Sequence, residues 1–352
     1  MNTRSPSTLA ALLAAGFLVA CGGDDDDMET VDAALPDALS LDAAVRPSQL
    51  AYVANADSSD VTVIDTLAST TTTLDCSTLG ATCSEARNPA VSPDGTLVAI
   101  PFRHSDNVIL LDVDRGELVA EITDISFDEP YAAAFSKDGG QLWVVNKKGG
   151  DSSVGAVSII DVASRTVTAV VDDAALVSPE GITLTADNAY VANRGAGDVV
   201  VLSIATHEVV TTVSVGGQPR FTTATADGAF VYASTDGSSV VKIATSDHSI
   251  AATVMVAGSS RNMAITPDGS TLYVGLLSGS IAAVDVESDT STDIPVAGAV
   301  SLYGVAILHD GSLGLATDES NDMVYAFDPA DGTVLPDTTF ATGSTPRGIA
   351  AY

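Results

Sequence analysis

From Leu50 onward the chain repeats one pattern seven times, and this repetition leaves few folds open to it. A turn of Pro-Asp-Gly character recurs as Pro93-Asp94-Gly95, Lys137-Asp138-Gly139, Ala186-Asp187-Asn188, Ala226-Asp227-Gly228, Pro267-Asp268-Gly269 and His309-Asp310-Gly311. The aspartates stand 44, 49, 40, 41 and 42 residues apart. Asp-Gly and Asp-Asn between apolar runs form hairpin turns, because Gly and Asn tolerate the positive φ such turns need. A short strand of small residues precedes each turn and an apolar strand follows it, as in Leu142-Trp-Val-Val145 and Leu272-Tyr-Val274.

A third strand then appears in every unit: Val61–Asp65, Val108–Asp112, Val157–Asp161, Val199–Ser203, Val240–Ala244, Ile281–Asp285 and Val324–Asp328. A fourth completes most units, for example Val209–Val213. β-Branched runs of this length between turn signals read as strands. Four strands per period of about 40–50 residues is the signature of a β-propeller. The expected fold is therefore all-β, a seven-bladed β-propeller with four-stranded blades. The ends complement each other: Pro346–Tyr352 reads as a first strand without its turn, and Leu50–Asn55 as a second strand without a first. The expected blade 1 is thus composite, closed by both ends of the domain at 50–352, which removes unpaired sheet edges.

The wording of the repeat resembles the YVTN family of propellers, also called surface-layer or lactonase-type propellers. Tyr52-Val-Ala-Asn55, Tyr190-Val-Ala-Asn193 and Pro179-Glu-Gly-Ile-Thr183 match its pattern, while Thr235 and Leu276 replace its Asn in blades 5 and 6. The resemblance implies a scaffold, and a scaffold does not specify an activity. Some lactonase-type propellers hold calcium at the channel mouth. Glu180, Asn146 and Asn193 stand at comparable places here, but arginines around a dication would repel it, so neither metal nor cofactor is expected.

The N-terminus reads as an address. Arg4 precedes an unbroken apolar run, Leu9–Ala20, long enough for a signal-peptide core and too short for a permanent span. It ends in Leu18-Val19-Ala20-Cys21, which resembles the bacterial lipobox and implies a signal peptide at 1–20 and lipidation of Cys21. Residues 22–49 carry eight acids and one base, the composition of a solvated tether reaching roughly 90–100 Å at full extension. The expected location is the bacterial cell envelope, extracytoplasmic and lipid-anchored. Gly22 after the lipidated Cys leans toward the outer membrane, on its periplasmic or surface face. Of the remaining cysteines, Cys76 and Cys83 form the simplest disulfide of an exported protein. Closing so short a loop contributes roughly 2–2.5 kcal/mol in the chain-entropy view.

A formal charge of −32 excludes non-specific binding to nucleic acid. Against it stands one repeat position. The residue seven places before the turn Asp is Arg87, Tyr131, Glu180, Arg220, Arg261, Tyr303 and, by the match of Pro346-Arg-Gly, Arg347. In a propeller this position faces the central channel, so the arginines should converge into a basic funnel suited to a small anion. Arg103, His104, Lys147, Lys148 and Arg194 follow the second strands on the same face. His207, His248 and His309 share no repeat position and no zinc spacing on this reading. Five second-strand aromatics, Tyr52, Trp143, Tyr190, Tyr232 and Tyr273, read as blade packing. The carboxylates Asp65, Asp112, Asp161, Asp285 and Asp328 read as caps of the following turn.

These features favour a monomeric binding or protein-interaction module, with a small anionic ligand or an envelope protein as partner. The alternative is a lactonase-like hydrolase acting on an acidic sugar lactone, with Glu180 or His104 moving protons. A redox-associated propeller lacks support, since no Cys-x-x-Cys-His attachment sequence occurs. Cys21→Ser is expected to yield an unlipidated protein that no longer fractionates with membranes; unchanged fractionation would remove the lipoprotein reading.

Overall fold

A computed structural model describes residues 49–148 and 153–352; the expected signal peptide, the expected lipidation site Cys21 and the expected tether up to residue 48 lie outside the described residues. Seven four-stranded antiparallel sheets form a ring, a seven-bladed β-propeller. Blade 4 is typical, with strands Pro179–Leu184, Asn188–Asn193, Asp198–Ser203 and Val209–Ser214 in spatial order. The first strand of each blade is innermost, and these inner strands pack against one another around the circuit. No helix among the described residues is long and apolar enough to cross a membrane.

The hydrophobic core is divided among the blade junctions. Seven clusters of buried residues each join two neighbouring sheets, including Trp143, Ile159, Ile182 and Val200 between blades 3 and 4. The five second-strand aromatics are buried here and reach into the next blade. Tyr52 donates to the Val113 carbonyl, Tyr273 to that of Pro329, and Trp143 packs edge-on against His207. Those contacts correct the reading of the histidines. His207 and His248 share one repeat position, the left-handed residue of the hairpin between strands three and four, and each meets the aromatic of the preceding blade.

Local turn chemistry matches the sequence. All five strand-end aspartates accept a backbone N–H two or three residues on, at Ala68, Arg115, Ser164, Ser288 and Ala330. In the hairpins between first and second strands, Asp94, Asp138, Asp227 and Asp268 accept from a Ser or Thr hydroxyl and from a following backbone N–H. Those bonds favour the ionised form and lower each carboxyl below its ordinary range. The stability they contribute is complete above the unfolded carboxylate pKa and is lost as pH falls through the lower folded one.

Blade 1 is composite as expected: Pro346–Ala351 pairs with Leu50–Asn55, in the order closed by Asp60–Asp65 and Thr70–Leu74. Gly348 permits this closure, since a Cβ there would lie 2.6 Å from Pro89 Cδ and 2.7 Å from Asn88 Cα of blade 2. The Cys76–Cys83 disulfide is present; it closes around one helical turn, Cys76–Leu79, capped by Asp75 and left-handed Gly80. Blade 2 departs from the repeat. Its first strand is only Ala90–Val91, because Pro89 has no N–H to give to a ladder. Deleting Pro346–Tyr352 is expected to bare the edge at Leu50–Asn55, causing aggregation and a lower melting temperature. Unchanged melting and size-exclusion behaviour would contradict closure through this strand.

Candidate functional site

The inward-facing residues owe their direction to a repeated defect in the ladder. In blades 1 and 3–7, register slips where the first strand begins, beside Arg347, Tyr131, Glu180, Arg220, Arg261 and Tyr303. A bulge bends its strand and re-aims the side chain that it carries. In blade 2 the proline takes this role: Arg87 precedes the shortened strand, held by its own N–H to Pro101 while Asn88 N–H reaches Tyr131 of blade 3.

The seven residues converge. Tyr131 and Tyr303, from blades 3 and 7, lie close enough that Tyr131 contributes to raising the Tyr303 phenol. Phe221 of blade 5 packs edge-on against Tyr303 at 5.8 Å between centroids. Contacts between such distant blades reach across the channel. The Arg87 guanidinium lies 4.9 Å from the Tyr131 centroid, and those of Arg261 and Arg347 each lie 5.7 Å from Tyr303. Cation–π contacts of this kind stabilise by about 0.5–2 kcal/mol each. Burial drives the Tyr303 phenol well above its ordinary value, with Tyr131 and Glu180 adding to the effect.

The arginines are gathered but not bare, which amends the simple basic funnel. A second ring, the residue after each second strand, holds Ala56, Arg103, Lys147, Arg194, Asp236, Leu277 and Glu319. In six blades its backbone N–H bonds the carbonyl two residues before the first-ring position, as from Asp236 to Gln218 and from Glu319 to Ser301. Each charge of the first ring can then meet an opposite charge on the preceding blade. Glu180 accepts from Lys147 Nζ at 2.9 Å, Arg261 donates to Asp236 at 2.7 Å, and Arg347 to Glu319 at 2.9 Å. Arg220 bridges Glu180 at 2.8 Å and Asp236 at 2.9 Å. Burial works against its charge, but the two carboxylates prevail and raise the guanidinium above its ordinary value.

Arg87 is the exception. It is 2% exposed, and its carboxylate partner is Glu85, which also takes Arg103 and His104. Its Nε and Nη1 find no hydrogen-bond partner among the described residues. Burial, with Arg347 and Arg103 nearby, pushes its pKa down.

The other sequence candidates separate. His104 is half-exposed, with Nε2 2.8 Å from Glu85 Oε2. Asn146 and Asn193 are buried and structural: Asn146 donates to Ser158 and Val144, Asn193 to Asp198 and Ala175. Among the described residues no group of three or more His, Cys, Asp or Glu could hold a metal ion. Sequence reasoning missed Glu85, Glu129 (which accepts from Arg103 Nη2 at 2.9 Å), Asp236 and Glu319. The last two lie at the repeat position of Arg103, Lys147 and Arg194, so aligning that column for acids as well as bases would have found them.

No family model and no curated protein matches the chain. Similar solved structures include hydrazine synthase from Kuenenia stuttgartiensis, with a TM-score of 0.66 and 19% identity over 75% of this chain and 89% of that one. A functionally unknown protein from Desulfotomaculum acetoxidans gives a TM-score of 0.72 and 14% identity over 86% of this chain and 99% of that one. Likeness at these identities speaks for the fold.

Glu180 is fully buried with both oxygens on cations. Glu180→Gln is expected to destabilise the fold by about 3–5 kcal/mol, because it removes the buried carboxylate that Lys147 and Arg220 share. Chemical denaturation should show that loss, and adding Lys147→Met should recover part of it.

Proposed function

We propose that this protein is a lipid-anchored, extracytoplasmic propeller of YVTN type, placed in the outer membrane, that binds a small anionic ligand at its channel mouth. A propeller suits a binding or interaction module, since its rigid ring presents residues from seven blades around one axis. The observation that carries the ligand reading is Arg87, a buried guanidinium with two N–H-bearing nitrogens unpartnered, among the converging Arg347, Arg103 and Tyr131. Buried donors without partners are costly, and a carboxylate or phosphate would satisfy them with charge-assisted bonds of about 1.5–3 kcal/mol each.

The lactonase-like alternative asks Glu180 or His104 to move protons. Both oxygens of Glu180 are held by Lys147 and Arg220, and His104 is turned to Glu85. A binding module is the reading that the geometry supports best. Recognition of an envelope protein could use the same face through a carboxylate side chain or terminus.

Thermal melting against citrate, succinate, phosphate and sugar phosphates tests the ligand reading. At least one should raise the melting temperature of the wild type. Arg87→Lys, which keeps charge but loses the planar fork, should weaken that ligand by about tenfold or more. If no carboxylate or phosphate compound stabilises the wild type, the anion site fails and interaction with a protein remains.

A further inference from the structure

The face opposite the arginines carries a second feature that the binding reading does not use. A cavity of about 450 Å3 opens on the side of the Asp-Gly turns, between blades 3, 4 and 5. That size falls within the range of small-molecule sites, roughly 300–1,000 Å3. Its origin is one turn. In five blades the hairpin between first and second strands encloses four residues, as from Ser92 N–H to the Leu97 carbonyl and from Thr225 N–H to that of Phe230. In blade 4 the equivalent bond runs from Thr185 N–H to the Asn188 carbonyl and encloses only Ala186 and Asp187. The shortened turn leaves a notch in the ring of turns, and its residues line the cavity together with Thr225, Ala226, Asp227 and Gly228 of blade 5.

Two sequence changes coincide with this notch. Four places before the turn Asp, five blades carry alanine: Ala90, Ala134, Ala264, Ala306 and, by alignment, Ala350. Blades 4 and 5 carry Thr183 and Thr223 instead, and both line the cavity. Both residues are half-buried, and their hydroxyls make no side-chain hydrogen bond among the described residues. The second change concerns Asp187. Asp94, Asp138, Asp227, Asp268 and Asp310 are all tied into their own turns. The tighter blade 4 turn has no such bond, so the exposed Asp187 carboxylate is unengaged among the described residues, across the cavity lining from Lys137.

We infer that this cavity is a binding site for a neutral polyhydroxylated molecule of the carbohydrate class, held by the Thr183 and Thr223 hydroxyls, Asp187 and Lys137. The donor set decides the class. Threonine hydroxyls both give and accept, a carboxylate accepts from vicinal hydroxyls, and an ammonium donates to them. An anion would meet Asp187 and Asp227 in a chain of charge −32, with Lys137 the one cation in the lining. A hard cation needs several converging oxygens with charge, and Asp187 alone supplies a free carboxylate here. This inference is independent of the channel-mouth reading, since it uses no residue of that face.

Isothermal titration calorimetry of the mature propeller against glucose, galactose, mannose, N-acetylglucosamine, maltose and trehalose is the test. Saturable binding of at least one is expected. Thr183→Ala with Thr223→Ala gives both blades the alanine that the other five already tolerate, so melting should not change while affinity falls about tenfold or more. Replacing Ala186-Asp187 by the Pro-Asp-Gly-Ser of residues 267–270 should fill the notch and also abolish binding, whereas Arg87→Lys should leave it intact. No binding of any of these sugars to the wild type, or equal binding by the double threonine variant, would overturn the assignment.

Discussion

Every feature of this molecule depends on the antiparallel ladder between Leu50–Asn55 and Pro346–Ala351, which joins the two ends of the domain across almost three hundred residues. A sheet in a propeller is apolar on both faces and needs a neighbour on each side. Seven blades supply seven junctions only when the ring is closed, and each junction holds its own cluster of buried residues. Without closure, blade 1 would keep an open edge. Closure also brings Arg347 beside Tyr303 and Glu319, so the channel mouth is completed by the same strand that completes the fold.

Convergence of cations is then a consequence of the geometry, and the structure has two means of tolerating it. One is a rule between adjacent blades, in which a second-strand residue of one blade opposes the first-strand residue of the next, as Lys147 opposes Glu180 and Asp236 opposes Arg261. The other is aromatic: Tyr131 and Tyr303 present their ring faces to guanidinium groups. Arg87 has the nearest ring, Tyr131, but shares its carboxylate Glu85 with Arg103 and His104, and two of its buried nitrogens are unbonded among the described residues. Opposite-sign pairing thus covers the ring, with Glu85 divided among three cationic or titratable partners at Arg87.

The two faces of the ring differ in kind. The mouth is built from strand starts, where bulges aim long charged side chains inward. The opposite face is built from turns, whose aspartates bond their own backbone and leave little for a ligand. Shortening one turn by two residues changes that locally, opening space and releasing a carboxylate at once. A repeat fold can therefore acquire distinct binding features without disturbing the sheets, because turn length is set separately from blade packing.

Much of the architecture was legible in the sequence because it rests on short-range chemistry. The Asp-Gly turns, the strand-end caps at Asp65, Asp112, Asp161, Asp285 and Asp328, and the Cys76–Cys83 bridge need only neighbours along the chain. Counting their period gave seven blades, and the unmatched ends gave the closure. The inward column from Arg87 to Arg347 was also readable, since a repeat places equivalent residues equivalently. What each of those residues touches was not. Glu180 meets Lys147 from 33 positions away, Phe221 meets Tyr303 across the ring, and His207 and His248 meet aromatics of preceding blades. Sequence alone determined the repeat and its closure, because backbone hydrogen bonding and hydrophobic alternation are local. Tertiary structure decided which charges are neutralised and which turn leaves a cavity, because both depend on side chains that only the closed ring brings within a few ångströms.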